Sequence, residues 1–456
     1  MCVLEEGKKK GQLKRRVTLF GATAYGVGNI LGAGIYALIG IVIGDTGNYS
    51  WIIFVIAAII GAFTGLSYAE LSAMYPKSAA EFVYTEEAFR IRILSFLLGW
   101  IIIFSGVLSA ATVALGFAGY FSNLLGISME ILISIIAVIL IVILGLINFF
   151  GIRASTWTNV LFTLIEASGL ILIIIIGIPK FGTVNYFVLP TSSSVFSIFS
   201  TVGLVFFAYI GFEDVANIAE EVKRPAKNLP RAIIISIVIT TLLYCFTAIS
   251  VVSIKPFDTI DPSAPLSDVA TTILGPIGGV IMSLIALFAT ANTVLIMLIV
   301  TSRMMYGMAR DKALPEGVGK ISPKFKTPAL AVLLTTIFTI IPLFFGDIRL
   351  VADATVFGVL ITFFLVNLSL IVLRKKKPEL ERPFKQKPNI KWMPIIAFLG
   401  CLACLGLLLT FVDLNGLWTV LIQGIIIVCG IVVFYAMKSK IQTSVRKLKK
   451  EEEAEN

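Results

Sequence analysis

The sequence predicts an all-α integral membrane protein with twelve transmembrane helices, the first and sixth of them broken near their middles. Three observations predict it: long charge-free apolar runs, a one-sided distribution of Lys and Arg, and glycine-bearing interruptions at corresponding places in two runs. Of 456 residues, 58% are hydrophobic and 14% charged, against about 45–50% and about 25% in an ordinary soluble domain. The excess is gathered into runs such as 17–44, 46–69, 232–254, 354–373, 392–412 and 414–437. Each is at least as long as the ~20 residues that a helix needs to cross a bilayer. The strands of a transmembrane barrel would alternate and run for only about 10 residues, which excludes that class.

The spans are read at roughly 17–43, 51–75, 93–121, 129–150, 157–178, 197–218, 232–254, 271–302, 328–345, 351–373, 393–412 and 416–437. With the N-terminus inside, all but Lys180, Lys255 and Arg349 of the 37 basic residues fall on the inner side. The outer loops instead carry Asp45, Asp258, Asp261, Asp268 and Asp413. A miscounted span would scramble this split, so it argues for the count and for the orientation together. The expectation is a multi-pass protein of the cell membrane with both termini cytoplasmic. The net charge of +10 does not point to nucleic acid. Lys8, Lys9, Lys10, Lys14, Arg15 and Arg16 precede the first span, and Lys438, Lys440, Arg446, Lys447, Lys449 and Lys450 follow the last. Basic residues there hold topology and meet anionic membrane lipids.

Chemistry on a bound group is not indicated. The chain has no histidine, which removes the commonest metal ligand and the usual proton carrier near neutral pH. Cys2 lies in the N-terminal tail, and Cys245, Cys401, Cys404 and Cys429 lie inside apolar runs. The CxxC at Cys401 and Cys404 has neither histidine nor a βαβ context and reads as small packing residues. No disulfide framework, metal, cofactor or catalytic residue is expected, and no enzyme. The first apolar run is too long for a cleavable signal peptide and is followed by a second span. No loop is long enough to fold a soluble domain; residues 76–92 read as a short amphipathic cytoplasmic element and 303–327 as a basic loop near Pro315, Pro323 and Pro328.

The first span holds Gly26, Gly28, Gly32 and Gly34 with Asn29 near its middle. Glycine costs roughly 1 kcal/mol relative to alanine inside a helix. A broken span is tolerated only where the freed backbone lines a cavity or meets protein. There the half-helix after the break aims free N–H groups at an anion, and the half-helix before it offers carbonyls to a cation. An amino acid carries both charges on one carbon. On this stretch alone, the alternative of glycines that simply permit close packing stands equally. In the sixth span, Phe206-Phe207-Ala208-Tyr209-Ile210-Gly211-Phe212 is followed by Glu213 and Asp214, whose carboxylates would suit the first turn of a second half-helix. Paired interruptions of this kind point to the substrate site of a transporter built from inverted repeats.

These residues resemble the amino acid permease branch of the amino acid–polyamine–organocation superfamily. The similarity runs through Gly28-Asn29-Ile30-Leu31-Gly32-Ala33-Gly34-Ile35-Tyr36, through Phe207-Ala208-Tyr209-Ile210-Gly211-Phe212-Glu213 with Ala219-Glu220-Glu221-Val222-Lys223-Arg224-Pro225 and Pro230-Arg231-Ala232, and through Ser302-Arg303 and Tyr306-Gly307-Met308-Ala309-Arg310-Asp311 to Leu314-Pro315. Tyr68-Ala69-Glu70-Leu71 and Tyr75-Pro76 are similar to that family's helix 2 end. One departure is Ala79-Ala80-Glu81, where the family often has a glycine pair.

The resemblance implies the leucine-transporter-type fold, a 5+5 inverted repeat plus two extra helices. The chain would divide into a basic cytoplasmic tail 1–16, a first repeat 17–178, a second repeat 197–373, helices 11 and 12 at 393–437 and a charged cytoplasmic tail 438–456. It further implies that the substrate carboxylate meets amides of Gly32, Ala33 and Gly34, and the amino group carbonyls of Ile30, Phe207, Ala208 and Ile210. The expected function is secondary active transport of amino acids by alternating access, with an amino acid as the small-molecule substrate, membrane lipids as partners and protons as a candidate coupling ion.

Glu166 stands near the middle of the fifth span, on one face with Asn159 and Thr163. A charge there costs at least ~2.5–3.5 kcal/mol and marks a functional candidate; a hydrogen-bonded structural carboxyl is the alternative. Several proton-coupled relatives carry lysine at the matching position, so this chain reverses the charge. Thr290 and Thr293 are candidate polar partners, with bonding back to their own helix as the alternative, and Asp353 at the start of the tenth span reads equally as an outer-vestibule residue or a solvated end-cap. Within transport, polyamine carriage or exchange remains open, kept alive by Glu213 and Glu166. A channel or membrane sensor is the reading from another class, opposed by the lack of a polar stripe through several spans.

Overall fold

The computed structural model describes residues 15, 17–77, 79–126, 129–150, 156–190, 195–219, 221–322, 325, 327–345, 347–411 and 416–455, with backbone alone at 33, 130, 156–159, 195, 196, 345 and 438–455. The basic tail 1–16 therefore lies almost wholly outside the described residues, as do Glu220, Asp413 and the side chain of Asn159.

Among the described residues the regular structure is helical, apart from one small hairpin and one isolated bridge. Helix α1 (Leu19–Thr46) turns through a single 3-10 turn into α2 (Ser50–Met74). A short α3 (Ala80–Phe89) leads to the long α4 (Arg92–Leu125), then α5 (Glu130–Phe150) and α6 (Thr156–Gly177). Next come α7 (Val195–Phe207), the four-residue α8 (Asp214–Asn217), α9 (Pro225–Ile254) and α10 (Pro265–Arg310). Then follow α11 (Ala329–Ile340), α12 (Ile348–Lys376), the antiparallel hairpin of β1 (Asn389–Ile390) and β2 (Met393–Pro394), α13 (Ile395–Leu409) and α14 (Leu417–Glu455). Among the described residues, eight helices are long and apolar enough to cross a membrane, and Ser197–Phe207, Ala329–Phe344 and Ile395–Leu409 are shorter apolar helices. In hydrocarbon every peptide group must find its partner within the protein, which is why apolar runs of this length close into helices. Large apolar side chains such as Ile131, Leu242, Ile277 and Leu409 stand exposed on the outside of the bundle; a surface this apolar is one that lipid covers.

Local chemistry sets several boundaries. Thr18 caps α1 by accepting from the Gly21 amide at 3.3 Å, and Asp347 caps α12 by accepting from Arg349 N at 2.8 Å. The glycine at 126 closes α4 with φ 65°. Helix α10 is longer than its sequence pattern suggested: it begins before Gly275, whose φ of 73° and ψ of −172° put a kink ahead of Pro276, and it continues to Arg310. Residues 303–310, read as part of a basic loop, are thus the C-terminal end of that helix.

The helices pack in groups. Helix α1 lies against α2, α7 and α9, and α2 against α7 and α9; α4, α5, α10 and α11 lie against one another, and α6 and α12 each touch both groups. A parallel bridge between Val17 and Val222 ties the chain ahead of α1 to the segment after α8, with Val17 N donating to Glu221 O at 2.9 Å and Lys223 N to Val17 O at 2.8 Å.

The two glycine-bearing spans differ, and here the expectation of two broken helices is corrected. Helix α1 is continuous from Leu19 to Thr46, through all four of its middle glycines. Its glycines are sites of close contact instead. A Cβ on Gly34 would run into the Cα and Cβ of Ala208, one on Gly32 into the Thr293 hydroxyl, and one on Gly28 into Thr163 Oγ1. Opening the helix would strand backbone groups that cost several kcal/mol each in an apolar setting, more than the glycines' own penalty. The sixth span does break. Helix α7 ends at Phe207, and the chain runs through tight turns to α8, with Gly211 at φ 123°.

Candidate functional site

The interruption in the sixth span is built from three consecutive turns. Ala208 N donates to Val205 O at 2.9 Å, Tyr209 N to Phe206 O at 3.0 Å and Ile210 N to Phe207 O at 3.1 Å. Gly211 then takes a backbone conformation that side-chain-bearing residues rarely adopt. Its Cα faces Asn29 of α1 so closely that a Cβ would meet Asn29 backbone atoms at 3.1 Å. The Glu213 carboxylate turns back to accept from Gly211 N at 2.8 Å, and Asn29 Nδ2 donates to Asp214 Oδ2 at 3.2 Å. The peptide break is thereby held against the middle of α1 by one glycine, one amide and two carboxylates.

Tyr244 of α9, fully buried, joins the two spans. Its hydroxyl lies 2.6 Å from the Ile30 carbonyl oxygen and 3.0 Å from that of Ala208, and is the donor to both acceptors. These are two of the carbonyls that the family resemblance assigns to a substrate amino group. Phe207 and Ile210 flank them on the same segment. Gly32, Ala33 and Gly34 lie within the wound part of α1, so their amides point along the helix rather than at an open anion site. The carboxylate-binding end implied by the resemblance is not formed in this structure, because the close packing on Ala208 and Thr293 favours the wound helix. Tyr244 went unnoticed in the sequence: one tyrosine in an apolar run carries no signal until its helix is packed.

Glu166 is buried, and Asn292 Nδ2 donates to its Oε1 at 2.8 Å. Its Oε2 has no hydrogen-bond partner, and its backbone carbonyl accepts from Tyr36 Oη at 2.5 Å. Of the two readings of Thr290 and Thr293, bonding back to their own helix is the one observed. Thr290 donates to Ala286 O at 2.6 Å and Thr293 to Ala289 O at 3.2 Å, both within their own helix. Asn292 lies between them on α10 and turns toward α6. A buried threonine hydroxyl often bonds to the carbonyl one turn back, whereas an amide side chain has to find a partner across the interface. Thr163 donates to Ala24 O at 3.1 Å, which ties α6 to α1.

Helix α12 is pinned at both ends. At its N-terminal end, Arg349 meets Asp45 of α1 at 2.8 Å, with both side chains about one-third exposed. At its C-terminal end, Arg374 forks onto Glu70 of α2 with Nε at 2.9 Å and Nη2 at 2.5 Å, and the Gln386 amide adds a bond to the same carboxylate at 3.0 Å. Tyr68 Oη donates to Glu81 of α3 at 3.1 Å, and Ala80 N to Asn217 Oδ1 of α8 at 2.9 Å. Burial raises the Glu81 carboxyl above the ordinary carboxylate range. Among the described residues, no group of three or more Cys, Asp or Glu is arranged to hold a metal ion.

Apolar helices that cross a membrane several times, one of them interrupted and packed on a glycine-rich neighbour, define a multi-pass membrane transporter. The comparisons with known proteins agree. Residues 17–437 match the family model described as amino acid permease. The chain is 29% identical over 454 residues to the branched-chain amino acid permease BcaP of Bacillus subtilis (strain 168), covering 94% of each. It is 28% identical to the methylthioribose transporter of the same organism, covering 88% of this chain and 89% of that one. It is also 28% identical to cationic amino acid transporter 3, mitochondrial, of Arabidopsis thaliana, covering 82% of this chain and 64% of that protein. The chain belongs to the amino acid permease family, and its activity is amino acid transport.

Proposed function

We propose that this chain is a secondary active transporter of amino acids working by alternating access, with twelve spans. The first of the eight long apolar segments, Gly34–Met74, covers parts of two helices; counting α1 and α2 separately and adding the three shorter apolar helices supports twelve. On this reading α1 to α6 hold the first repeat, 17–178, and α7 to α12 the second, 197–373. The helices at 393–437 are appended, and the tails 1–16 and 438–456 face the cytoplasm of the cell membrane, where they meet anionic lipid.

The observation that carries the site is the convergence of Ile30 and Ala208 carbonyls on one buried hydroxyl at the sixth-span interruption. Two carbonyls that accept from a phenol at 2.6 and 3.0 Å are equally suited to an ammonium group, which has three donors. Substrate ammonium replaces the Tyr244 hydroxyl there, with Phe207 and Ile210 alongside. Binding then unwinds α1 at Gly32, Ala33 and Gly34, whose amides turn to the carboxylate. Glu166, with one oxygen free of any partner, takes and releases the coupling proton as the cavity opens to water. Thr290 and Thr293 line the neighbouring helix without contacting it.

Uptake of a labelled amino acid panel into proteoliposomes, with proton and sodium gradients imposed separately, tests this. Accumulation driven by the proton gradient is expected; accumulation that only a sodium gradient drives would refute the assignment of Glu166.

A further inference from the structure

A cavity opens beside the interruption, between α4, the α7–α8 connection, α10 and α12. One wall presents Glu213 and Asp214, and the facing wall presents Ser105 and Ser109 of α4. The two carboxylates are adjacent in sequence and nine-tenths buried, at 5% and 8% exposure. Their recorded partners are neutral: the Gly211 amide for one and the Asn29 amide side chain for the other. No Lys or Arg lines the cavity among the described residues. Buried charge of one sign without a counter-charge is costly and is relieved by a proton or by a cation.

The serines supply an independent observation. Ser105 and Ser109 are 3% and 2% exposed, and neither hydroxyl has a hydrogen-bond partner. Many other buried hydroxyls in the spans bond back to their own helix, as Thr112 does to Leu108 O at 3.0 Å and Thr355 to Val351 O at 2.9 Å, although Ser50 of α2 and Thr247 of α9 do not. Two unsatisfied hydroxyls lining the same cavity as two unneutralised carboxylates are acceptors waiting for a donor, since each unmade bond of a buried polar group costs about 1–3 kcal/mol. The remaining wall is largely apolar, with Met297, Met304 and Val359 beside Thr301 and Thr355; thioether side chains adapt to a slender aliphatic chain. Ile210, one of the substrate-facing carbonyl residues, borders the same cavity.

We propose that this cavity holds the side-chain cation of a basic amino acid, whose α-ammonium sits at the Ile30 and Ala208 carbonyls while its aliphatic stem runs past Ile210 to Glu213, Asp214, Ser105 and Ser109. The inference rests on the transport reading above and adds the substrate class. A bare divalent ion suits the cavity less, since the carboxylates do not form a metal-holding group with a third acidic or thiol ligand.

Purified protein in proteoliposomes is assayed with labelled lysine and labelled leucine. Lysine is expected to be taken up and to outcompete leucine. Glu213→Gln and Asp214→Asn keep an acceptor oxygen for Gly211 and Asn29 and remove only charge. Each should weaken lysine uptake roughly tenfold or more, the factor that loss of a charge-assisted bond implies, with residual leucine uptake changed less. The double variant Ser105→Ala and Ser109→Ala, which leaves every recorded hydrogen bond intact, should weaken lysine several-fold and leave leucine unchanged. Leucine uptake with lysine excluded, or lysine uptake indifferent to both the charge and the serine changes, overturns this inference and leaves the transport reading standing. Absence of uptake for both amino acids by well-folded wild-type protein overturns the two together.

Discussion

The first and sixth spans carry the same kind of sequence signal and answer it differently. Both place glycine in the middle of an apolar run, but α1 stays wound from Leu19 to Thr46 while the sixth span gives way after Phe207. The difference lies in what each glycine faces. Gly32 and Gly34 spend their missing side chains on contact with Thr293 and Ala208, so the straight helix is the well-packed state. Gly211 stands at φ 123° and has Glu213 to satisfy its amide, so the bent chain is. Glycine permits a break; the neighbours on each side decide whether it happens.

The largest effect should come from filling the α1 contact. Gly34→Leu would drive a side chain into the Ala208 backbone, and overpacking at a site with no room costs about 1–3 kcal/mol or more. Loss of transport with a lowered Tm is expected; wild-type uptake and Tm would mean that the α1–α7 contact is not the one that matters. Glu166→Gln comes next. The glutamine keeps an oxygen for Asn292, so substrate exchange at equal pH should survive while proton-driven accumulation falls to background. Accumulation that persists would remove Glu166 from coupling and return it to a structural role.

Gly211→Ala tests the sixth span alone. A Cβ at that φ is strained by on the order of 1–3 kcal/mol and meets Asn29 at 3.1 Å. A lower Tm and weaker substrate binding should follow, with a smaller loss than at Gly34; an unchanged Tm would show that the turn relaxes freely. Tyr244→Phe sharpens the comparison from the side of the hydroxyl that bridges both spans. Losing it should destabilise the substrate-free protein by about 1 kcal/mol. Because the ammonium no longer displaces a competing donor, substrate affinity should rise several-fold in an equilibrium binding assay, and a fall in affinity would count against that exchange.

The smallest effect concerns the seat of α8. Burial raises the folded-state affinity of Glu81 for its proton. A group shifted in that direction supports the fold most at low pH, and its contribution fades as pH rises through the folded value. Glu81→Gln stays neutral, so it should match wild type in mildly acidic buffer and exceed it in Tm by a degree or two at alkaline pH. A Tm difference that does not grow with pH would show that Glu81 is not held as the neutral acid.

Much of this protein was legible before any helix was packed. The long apolar helices depend on the solvent that each segment meets, and that is written locally in the run of residues. The interruption at Gly211 was legible for the same reason, since two carboxylates directly after a glycine do not belong in an unbroken span. Glu166 announced itself as a charge in hydrocarbon. The wound state of α1, the Tyr244 bridge, the choice of Asn292 over Thr290 and Thr293, and the fork of Arg374 on Glu70 were decided only in the tertiary structure. Each joins residues more than 100 positions apart. A glycine's lost Cβ, a lone tyrosine and a helix-bound threonine look alike in sequence whether they face lipid or a partner. Packing alone tells them apart, because close contact and a shared hydrogen bond need two surfaces, and the sequence prints them one at a time.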